Sequence, residues 1–399
     1  MTREKEIFER AISEAYSRQV TREPTSNRHV RSQIVRRGRR RRAARAFGAV
    51  FLVAAIATGA SASINVLRDD PQRERKEDQD RLDVVDETPA LGVERIMEFG
   101  GPIALWDETL IVANLSTQNA GKSSFARFDL ATGELTNTEP SVMIWPQNIA
   151  VGPSGLWLVG FTGSTGENGD AHGRIQLANA ISGELSLNLR RDNSAPSDVA
   201  VSITNGRERA WVVDAFRHQL LELDPASGDV RAIEVAEYPY TVTGGGGAVW
   251  VASGGLKKTG VITRYDLESG SLKTFPVDHS AYDLVVQNES VWVADWWNGT
   301  VHRLDAASGE ELAAVEVGGR PSSVVVGAGF VWVDVGDNRV VRVDPSTDEV
   351  VGDPVKVKTE GSPSDGGMVV VGDSLYVSTV MGVFRVGENV PVDGPNPEG

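Results

Sequence analysis

The chain has 399 residues, of which 24% are charged, and it contains no cysteine. The absence of cysteine excludes a disulfide framework and any zinc motif built on thiolates. The formal net charge of −15 is unevenly distributed, because residues 1–45 carry a net charge of +9 and the remaining residues a net charge of −24. The arginine-rich run at residues 36–42 is expected to set the orientation of the chain in a membrane and to contact anionic lipids, so we expect no nucleic-acid partner.

Residues 1–45 form a basic segment that we predict to be a cytoplasmic tail. Within it, residues 6–18 place apolar side chains along one stripe, which predicts a short amphipathic helix. A helix of this length is marginal when it stands alone in water. The stripe therefore favours a fraying tail, and a docking helix for a cytoplasmic partner is the alternative.

Residues 46–64 contain no charged side chain and are expected to cross a membrane. As an α-helix these 19 residues span about 28 Å, close to the thickness of a bilayer core. The arginine-rich run at residues 36–42 precedes them, so the positive-inside rule places the N-terminus in the cytoplasm. We predict an uncleaved signal anchor over residues 46–67; the alternatives are a signal peptide that is cleaved after Ala62 and a cytoplasmic protein.

The anchor is followed by a charged segment and then by a long repetitive region. Residues 68–90 are dense in both charges and poor in large apolar side chains, which predicts a flexible stalk. Residues 91–390 hold the repeats, and residues 391–399 are expected to form a disordered tail. With its N-terminus in the cytoplasm, the protein would sit in the cell membrane and display the repeats on the extracytoplasmic side.

The repeats share a strand-like motif that occurs seven times. A large residue at the same place in each copy serves as its anchor, at Ile111, Trp157, Trp211, Trp250, Trp292, Trp332 and Tyr376. The anchors are 46, 54, 39, 42, 40 and 44 residues apart. A period of roughly 40–45 residues with short strands is typical of a β-propeller, an all-β fold in which each blade covers its neighbour. The sequence therefore predicts a seven-bladed propeller.

Each repeat carries the signals of four strands. A proline stands about eleven residues before most anchors, and it marks the start of an inner strand because proline cannot donate to a ladder. Asp-x-x-Ser/Thr-Gly turns would join the third strand to the fourth, and Asn298-Gly299 predicts a type I′ hairpin turn. The seventh repeat ends after three strands, so we predict that residues 93–99 supply its outer strand and close the ring.

One face of the predicted propeller carries loops of variable length, and it is the expected binding surface. At its centre, the second residue after each proline position would lie near a central channel. These residues are mostly polar: Ala104, Asn148, Asp198, Thr241, Asp283, Ser323 and Asp365. Their oxygens could bind a polar ligand or a divalent cation, or they could cap backbone N–H groups. We predict no organic cofactor.

Aromatic residues supply further candidates for ligand binding on this variable-loop face. Trp292 occupies the anchor position and is expected to pack between blades. Trp296 and Trp297 follow it, and no other repeat has a tryptophan there, so they either contact a ligand or pack on the edge of the blade. Phe216 occupies an equivalent loop position in its own repeat, and Tyr240 follows the proline of the next one.

Three histidines also map to the variable-loop face: His172, His218 and His279. Imidazoles near a channel mouth could take part in acid–base or metal chemistry. However, the three stand at unmatched positions, and no HExxH or GxSxG motif frames them. We therefore assign no catalytic residue and retain these histidines only as candidates.

The repeat pattern VWVAD…GTVHRLDAASGE…VEVGGRP…VVVGAGFVWV resembles the YVTN/YncE-type bacterial propellers and the related streptogramin-lyase-like propellers. The resemblance covers about residues 93–387 and implies the propeller fold. Streptogramin lyases act through a histidine, a glutamate and bound Mg²⁺, and their repeats read G-x-L-W-F-T-E. Here the equivalent segments read GLWLVG, AVWVAS, SVWVAD and FVWVDV, with no glutamate after the anchor.

These observations together predict a monomeric, single-pass membrane protein. Its extracytoplasmic propeller would bind an envelope protein or a polar ligand on the variable-loop face, without catalysis. One alternative is a streptogramin-lyase-like enzyme that acts at the channel mouth. The other is a transmembrane sensor that reports occupancy of the propeller through the cytoplasmic tail.

Overall fold

The structure, a computed structural model, describes residues 91–114, 123–142, 145–162, 172–254, 257–357, 367–379 and 382–388. The predicted cytoplasmic tail, anchor, stalk and C-terminal tail lie outside these residues, as does Asp365. In the part of the chain that is described, every regular element is a β-strand, and no helix has the length and apolar character needed to cross a membrane.

The described strands form seven four-stranded antiparallel sheets, the blades. The first strand, β1 (Gly92–Met97), precedes blade 1. Blade 1 contains β2 (Ile103–Trp106), β3 (Thr109–Asn114), β4 (Ser123–Asp129) and β5 (Leu135–Val142). Blade 2 contains β6 (Trp145–Gly152), β7 (Gly155–Thr162), β8 (His172–Ala178) and β9 (Leu185–Arg191). Blade 3 contains β10 (Pro196–Thr204), β11 (Arg207–Asp214), β12 (Gln219–Leu223) and β13 (Val230–Glu234).

The remaining blades repeat this order. Blade 4 contains β14 (Pro239–Gly245), β15 (Ala248–Ser253), β16 (Gly260–Asp266) and β17 (Leu272–Val277). Blade 5 contains β18 (Asp283–Gln287), β19 (Ser290–Asp295), β20 (Thr300–Asp305) and β21 (Glu311–Glu316). Blade 6 contains β22 (Ser323–Gly327), β23 (Phe330–Asp334), β24 (Arg339–Asp344) and β25 (Glu349–Lys356). Blade 7 contains β26 (Gly367–Val371), β27 (Ser374–Thr379) and β28 (Gly382–Gly387).

The inner strands of the blades form a closed ring. In order around the ring, β2, β6, β10, β14, β18, β22 and β26 each contact the next, and β26 contacts β2. The strands enclose a central channel with a volume of about 360 Å³. The predicted seven-bladed propeller is therefore confirmed.

β1 completes blade 7 and ties the two ends of the domain together. It pairs antiparallel with β28, so that Gly92 lies opposite Gly387 and Met97 lies opposite Val383. Strands from both ends of the repeat region thus share one sheet, which covers the edge that blade 7 would otherwise leave open. The predicted closure of the ring is confirmed.

Each anchor residue packs at the junction between its own blade and the next. Trp292 of blade 5 is fully buried in a cluster with Val331 and Val341 of blade 6. Trp250 of blade 4 packs in the same way with Val291 of blade 5. Burying a large apolar side chain stabilises a fold by roughly 1.5–3 kcal/mol. The anchors therefore hold neighbouring blades together, which is why a blade needs its neighbours to form.

The face opposite the variable loops is built from short, repetitive turns. Asn288 (φ 53°) belongs to a two-residue turn that joins the first and second strands of blade 5. Asp305 begins the turn between the third and fourth strands, where its carboxylate accepts hydrogen bonds from the N–H groups of Ala307 (3.1 Å) and Ser308 (2.7 Å). Gly309 (φ 78°) ends that turn. The predicted Asp-x-x-Ser-Gly turn has formed here.

The turn between β19 and β20 differs from the predicted type I′ form. It has four residues, 296–299, and Gly299 (φ 71°) has a positive φ whereas Asn298 does not. The Asp295 carboxylate accepts hydrogen bonds from the N–H groups of Trp297 (3.0 Å) and Asn298 (3.3 Å). Because Asp295 accepts hydrogen bonds from these N–H groups, the chain forms a four-residue loop and not a two-residue turn. That loop carries Trp296 and Trp297 onto the variable-loop face.

Candidate functional site

Polar side chains from neighbouring blades form a network at the start of the inner strands. Asp198 of blade 3 is its centre: Oδ1 accepts hydrogen bonds from the Val199 N–H (2.8 Å) and from the side-chain amide of Asn148 in blade 2. Oδ2 accepts from the Val242 N–H (2.8 Å) and the Thr241 hydroxyl (2.7 Å), both in blade 4. One carboxylate therefore joins three blades.

Asp283 repeats the arrangement two blades further around the ring. Its oxygens accept hydrogen bonds from the Leu284 N–H (2.8 Å) and, across the junction with blade 6, from the Val324 N–H (2.9 Å). The Ser323 hydroxyl also donates to this carboxylate. The Thr241 hydroxyl lies 3.1 Å from Asp283 Oδ1, so it connects the two carboxylates. The network spans five blades.

Burial raises the pKa of Asp198 to about 7, and burial likewise raises the pKa of Asp283. The hydrogen bonds to both groups act in the opposite direction, because they stabilise the ionised form. Backbone N–H donors already occupy both oxygens of each carboxylate, so we assign the network to holding the blades together. Binding of a polar ligand or a divalent cation at the channel mouth stays a prediction, as does the part of Asp365.

A row of aromatic rings runs from the surface of the variable-loop face to the channel. We call Trp297, Trp296, Tyr282 and Tyr240, in that order, the aromatic row. Successive ring centroids are 5.0, 6.3 and 4.9 Å apart. Trp297 is 39% exposed, whereas Trp296 is only 5% exposed. The guanidinium of Arg320 lies 4.6 Å from the ring centroid of Trp296. The two tryptophans therefore differ: Trp296 is buried within the row, whereas Trp297 faces solvent.

The inner end of the row is formed by Tyr240, which lines the channel beside Tyr282. Burial is the largest cause that raises the pKa of Tyr240 well above its usual value, so its hydroxyl stays protonated. That hydroxyl donates a hydrogen bond to the Tyr282 hydroxyl (3.2 Å). Phe216 lies elsewhere on the same face, where it packs against a small cluster that includes Phe161 and Ala215.

The three candidate histidines lie in or between different blades, and each has its own partners. His172, in blade 2, lies 2.7 Å from Asp192 Oδ1 and 2.6 Å from the guanidinium of Arg190. His218, in blade 3, accepts a hydrogen bond at Nδ1 from the Tyr238 N–H (3.0 Å). His279 lies in the connection between β17 and β18. The structure does not gather these three imidazoles into one site.

His279 instead meets a histidine that the sequence did not single out. Its ring stacks on His302 of β20, with centroids 3.6 Å apart and planes 4° from parallel. Asp295 Oδ2 lies 3.6 Å from His302 Nε2, and Glu311 Oε2 lies 2.8 Å from His302 Nδ1. Burial lowers the pKa of His279; for His302 burial acts in the same direction, but Asp295 and Glu311 outweigh it and raise the pKa. We call these four residues the histidine cluster.

Sequence reasoning missed the histidine cluster because its members come from separate elements. His279 stands 23 residues before His302, and the two meet only because blade 4 ends against blade 5. A weak signal was present in Asp295, which starts the loop of the aromatic row and lies one strand from His302. The local periodicity of the sequence, however, does not predict that the β17–β18 connection packs against β20.

Comparison with known proteins supports the fold. No model of a known protein family matches the chain, and no curated protein matches it. The WD40 domain of Pan2 from Neurospora crassa is similar with a TM-score of 0.55 and 13% identity, over 73% of this chain and 91% of that chain. A chain of the mitotic checkpoint complex has a TM-score of 0.58 and 9% identity, over 83% and 99% of the two chains. The computationally designed Ika8 protein has a TM-score of 0.51 and 12% identity, over 74% and 98%. At these identities the likeness shows a shared fold and nothing further about this chain.

Proposed function

We propose that this protein is a single-pass membrane protein whose propeller binds a protein partner in the cell envelope through the variable-loop face, without catalysis. The aromatic row is the observation that carries the proposal. Its outer member, Trp297, is exposed although large aromatic side chains are normally buried. Its inner members are packed against one another, so the exposed ring stands on a rigid base.

The residue types around Trp297 fit a protein partner. Tryptophan, tyrosine and arginine are the residues that most often dominate the energetics of protein interfaces. Trp297, Tyr282 and Arg320 each contact Trp296, and the guanidinium of Arg320 lies over the Trp296 ring. A rigid aromatic anchor loses little conformational entropy on binding, which favours affinity. The partner would therefore present a pocket or an apolar side chain to Trp297.

The membrane part of the proposal rests on the sequence. Residues 46–64 carry no charge, and the arginine-rich run precedes them. The contrast between a basic N-terminal segment and an acidic remainder fits a chain that leaves its tail in the cytoplasm and exports its propeller. Export of the domain would bring the variable-loop face into contact with other envelope proteins.

Crosslinking in intact cells tests the binding surface. We expect Trp297→Ala to lose the partners that the wild-type chain captures, because it removes the exposed ring while leaving the buried row in place. Ile181→Ala is the matched control, since Ile181 is a 57% exposed apolar residue in a turn on the opposite face. An unchanged partner list for Trp297→Ala, or equal losses in both variants, would refute the proposed surface.

The absence of cysteine permits a direct test of the membrane topology. Single cysteines would be introduced as Ser26→Cys in the tail and Ala307→Cys in an exposed turn of the propeller. A membrane-impermeant maleimide should label Ala307→Cys in intact cells and Ser26→Cys only after lysis. Labelling of both, or of neither, in intact cells would contradict the proposed orientation.

A further inference from the structure

The histidine cluster lies at the junction of blades 4 and 5, next to the loop of the aromatic row. His279 comes from the β17–β18 connection, Asp295 ends β19, His302 belongs to β20 and Glu311 begins β21. Asp295 joins the cluster to the aromatic row, because its Oδ1 also accepts the hydrogen bond from the Trp297 N–H (3.0 Å). Its Oδ2, the oxygen that faces His302, accepts one hydrogen bond from the side-chain amide of Asn298 (2.5 Å) and keeps a second lone pair for a ligand. A ligand bound by the cluster would therefore link the β17–β18 connection to the β19–β20 hairpin.

The ligand atoms needed for a metal ion are close together. His279, Asp295 and His302 can each offer one ligand atom, and these atoms all lie within 4.8 Å of one another. All three side chains are buried. Two imidazoles and a carboxylate form a donor set that zinc accepts readily, whereas calcium and magnesium prefer oxygen ligands alone. The chemistry of the cluster therefore favours a divalent transition metal over a hard cation.

One buried ligand atom has no hydrogen-bond partner. The Nδ1–H of His279 donates to the Ser280 carbonyl oxygen (2.9 Å), which can only accept, so in the neutral ring the lone pair is on Nε2. That Nε2 makes no hydrogen bond with the described residues, although Glu311 Oε2 lies 3.8 Å from it, and the side chain is only 3% exposed. An unsatisfied buried acceptor is costly, and a backbone carbonyl that fixes the tautomer is the usual support of a metal-binding imidazole.

The second imidazole is oriented in a comparable way. Glu311 Oε2 lies 2.8 Å from His302 Nδ1, so the ring donates its Nδ1–H to that carboxylate. His302 Nε2 then faces Asp295 Oδ2 at 3.6 Å, with the Thr300 hydroxyl 2.9 Å away. A carboxylate behind a histidine makes the other nitrogen a better ligand. Glu311 is also the most exposed member of the cluster, so the cluster reaches the surface at this residue.

We propose that His279, Asp295 and His302 bind a divalent transition-metal ion of the zinc type, with Glu311 as the residue that orients His302. Around a tetrahedral zinc ion with bonds of about 2.0–2.1 Å, ligand atoms lie about 3.4 Å apart. The two imidazole planes are parallel, so their lone pairs converge only after the His279 ring turns. That ring belongs to a connection rather than to a strand, and it is the member of the cluster that moves on binding.

Zinc binding to the full-length protein, stripped of metal with a chelator, tests the proposal. We expect one Zn²⁺ per chain by calorimetry, a rise in the thermal unfolding temperature, and no response to Mg²⁺ or Ca²⁺. Co²⁺ as a spectroscopic substitute should give the visible absorption of a tetrahedral site with nitrogen and oxygen ligands. His279→Gln should abolish or greatly weaken binding, and Glu311→Gln should weaken it by about 10–100-fold, the range for an orienting residue.

The controls separate a specific site from adventitious binding. His172→Gln removes a surface histidine that also faces a carboxylate, and it should leave the zinc affinity unchanged. Because His279→Gln alters a buried residue, its folding is checked by circular dichroism and by the cooperativity of unfolding. The proposal is overturned if wild type binds no zinc, if folded His279→Gln binds it equally well, or if His172→Gln has the larger effect. In any of these cases the four residues form only a network of hydrogen bonds and ion pairs.

Discussion

Replacing Asp198 by alanine tests whether the polar network holds the propeller together. The substitution removes the acceptor for two buried backbone donors, the Val199 and Val242 N–H groups, each at 2.8 Å. It also removes the acceptor for the Asn148 amide and one of two acceptors for the Thr241 hydroxyl. The substitution therefore removes hydrogen bonds in three consecutive blades, blades 2, 3 and 4.

The magnitude follows from the donors that are left without a partner. A buried donor that loses its acceptor costs about 1–3 kcal/mol, so two backbone N–H groups predict a loss of about 2–6 kcal/mol. The raised pKa of Asp198 shows that burial already penalises its charged form, and this part of the penalty disappears in the variant. Water from the adjacent channel can also reach some of the donors. We therefore expect the lower half of the range, about 2–4 kcal/mol.

Urea unfolding of the full-length chain in detergent, followed by tryptophan fluorescence, measures this loss. Asp283→Ala should cause a similar loss of stability, because the Asp283 carboxylate also accepts hydrogen bonds from backbone N–H groups in two blades. Asp229→Ala is the matched control on an exposed turn of the opposite face, and it should change stability by less than about 0.5 kcal/mol. If Asp198→Ala is no more destabilising than Asp229→Ala, the network is not structural and its oxygens are available for a ligand.

Three further outcomes are expected. First, because the folded-state pKa of Asp198 is about 7 instead of 3.8, the folded protein binds the extra proton between these values, and this group's contribution to stability should fall as pH rises through that window. Urea midpoints at pH 5 and pH 7.5 should show a smaller difference in Asp198→Asn than in wild type. Second, Met97→Ala should cost about 2–5 kcal/mol in urea unfolding, because Met97 is buried where β1 closes the ring. Third, Gly309→Ala should cost more than about 1 kcal/mol, because φ is 78° and a Cβ there would overlap the ring of Phe275.

Each of these outcomes has a control. An unchanged pH dependence in Asp198→Asn would show that another group carries it. Glu94→Ala alters an exposed residue of the same strand as Met97 and should be nearly neutral; equal losses in the two variants would contradict the role assigned to the buried side chain. Gly133 occupies the equivalent turn of blade 1 with φ of 73° and open space around it. Gly133→Ala should thus be milder than Gly309→Ala, and the reverse order would remove the steric argument.

The architecture was predictable because its signals are local and repeated. Trp211, Trp250, Trp292 and Trp332 each stand in a strand that reads with a period of two, and the copies recur at nearly constant spacing. The missing fourth strand of the last repeat and the extra strand before the first could be matched by simple counting. The prediction of a type I′ turn at Asn298-Gly299 was wrong. It considered the Asn-Gly pair alone and ignored the Asp295 carboxylate, which accepts hydrogen bonds from backbone N–H groups of the loop.

The candidate site was predictable only in its location. Sequence position placed Asn148, Asp198 and Asp283 together at the channel, but it left open whether their oxygens serve a ligand or backbone donors. Their hydrogen bonds across blade junctions favour the second role. Similarly, the sequence could not separate Trp296 from Trp297, since the burial of Trp296 depends on contacts with Tyr282 and Arg320, which lie in the connections before and after blade 5.

The sequence by itself determined the number of blades and the face that carries variable loops, because strand pairing within a blade depends on neighbouring segments of chain. It also determined the closure of the ring, because the one unpaired strand before the first repeat matches the one strand that the last repeat lacks. Only the tertiary structure decided which side chains meet across the junctions between blades. The aromatic row, the carboxylate network and the contact of His279 with His302 all arise there. Contacts between blades depend on how sheets pack in three dimensions, and no local periodicity encodes them.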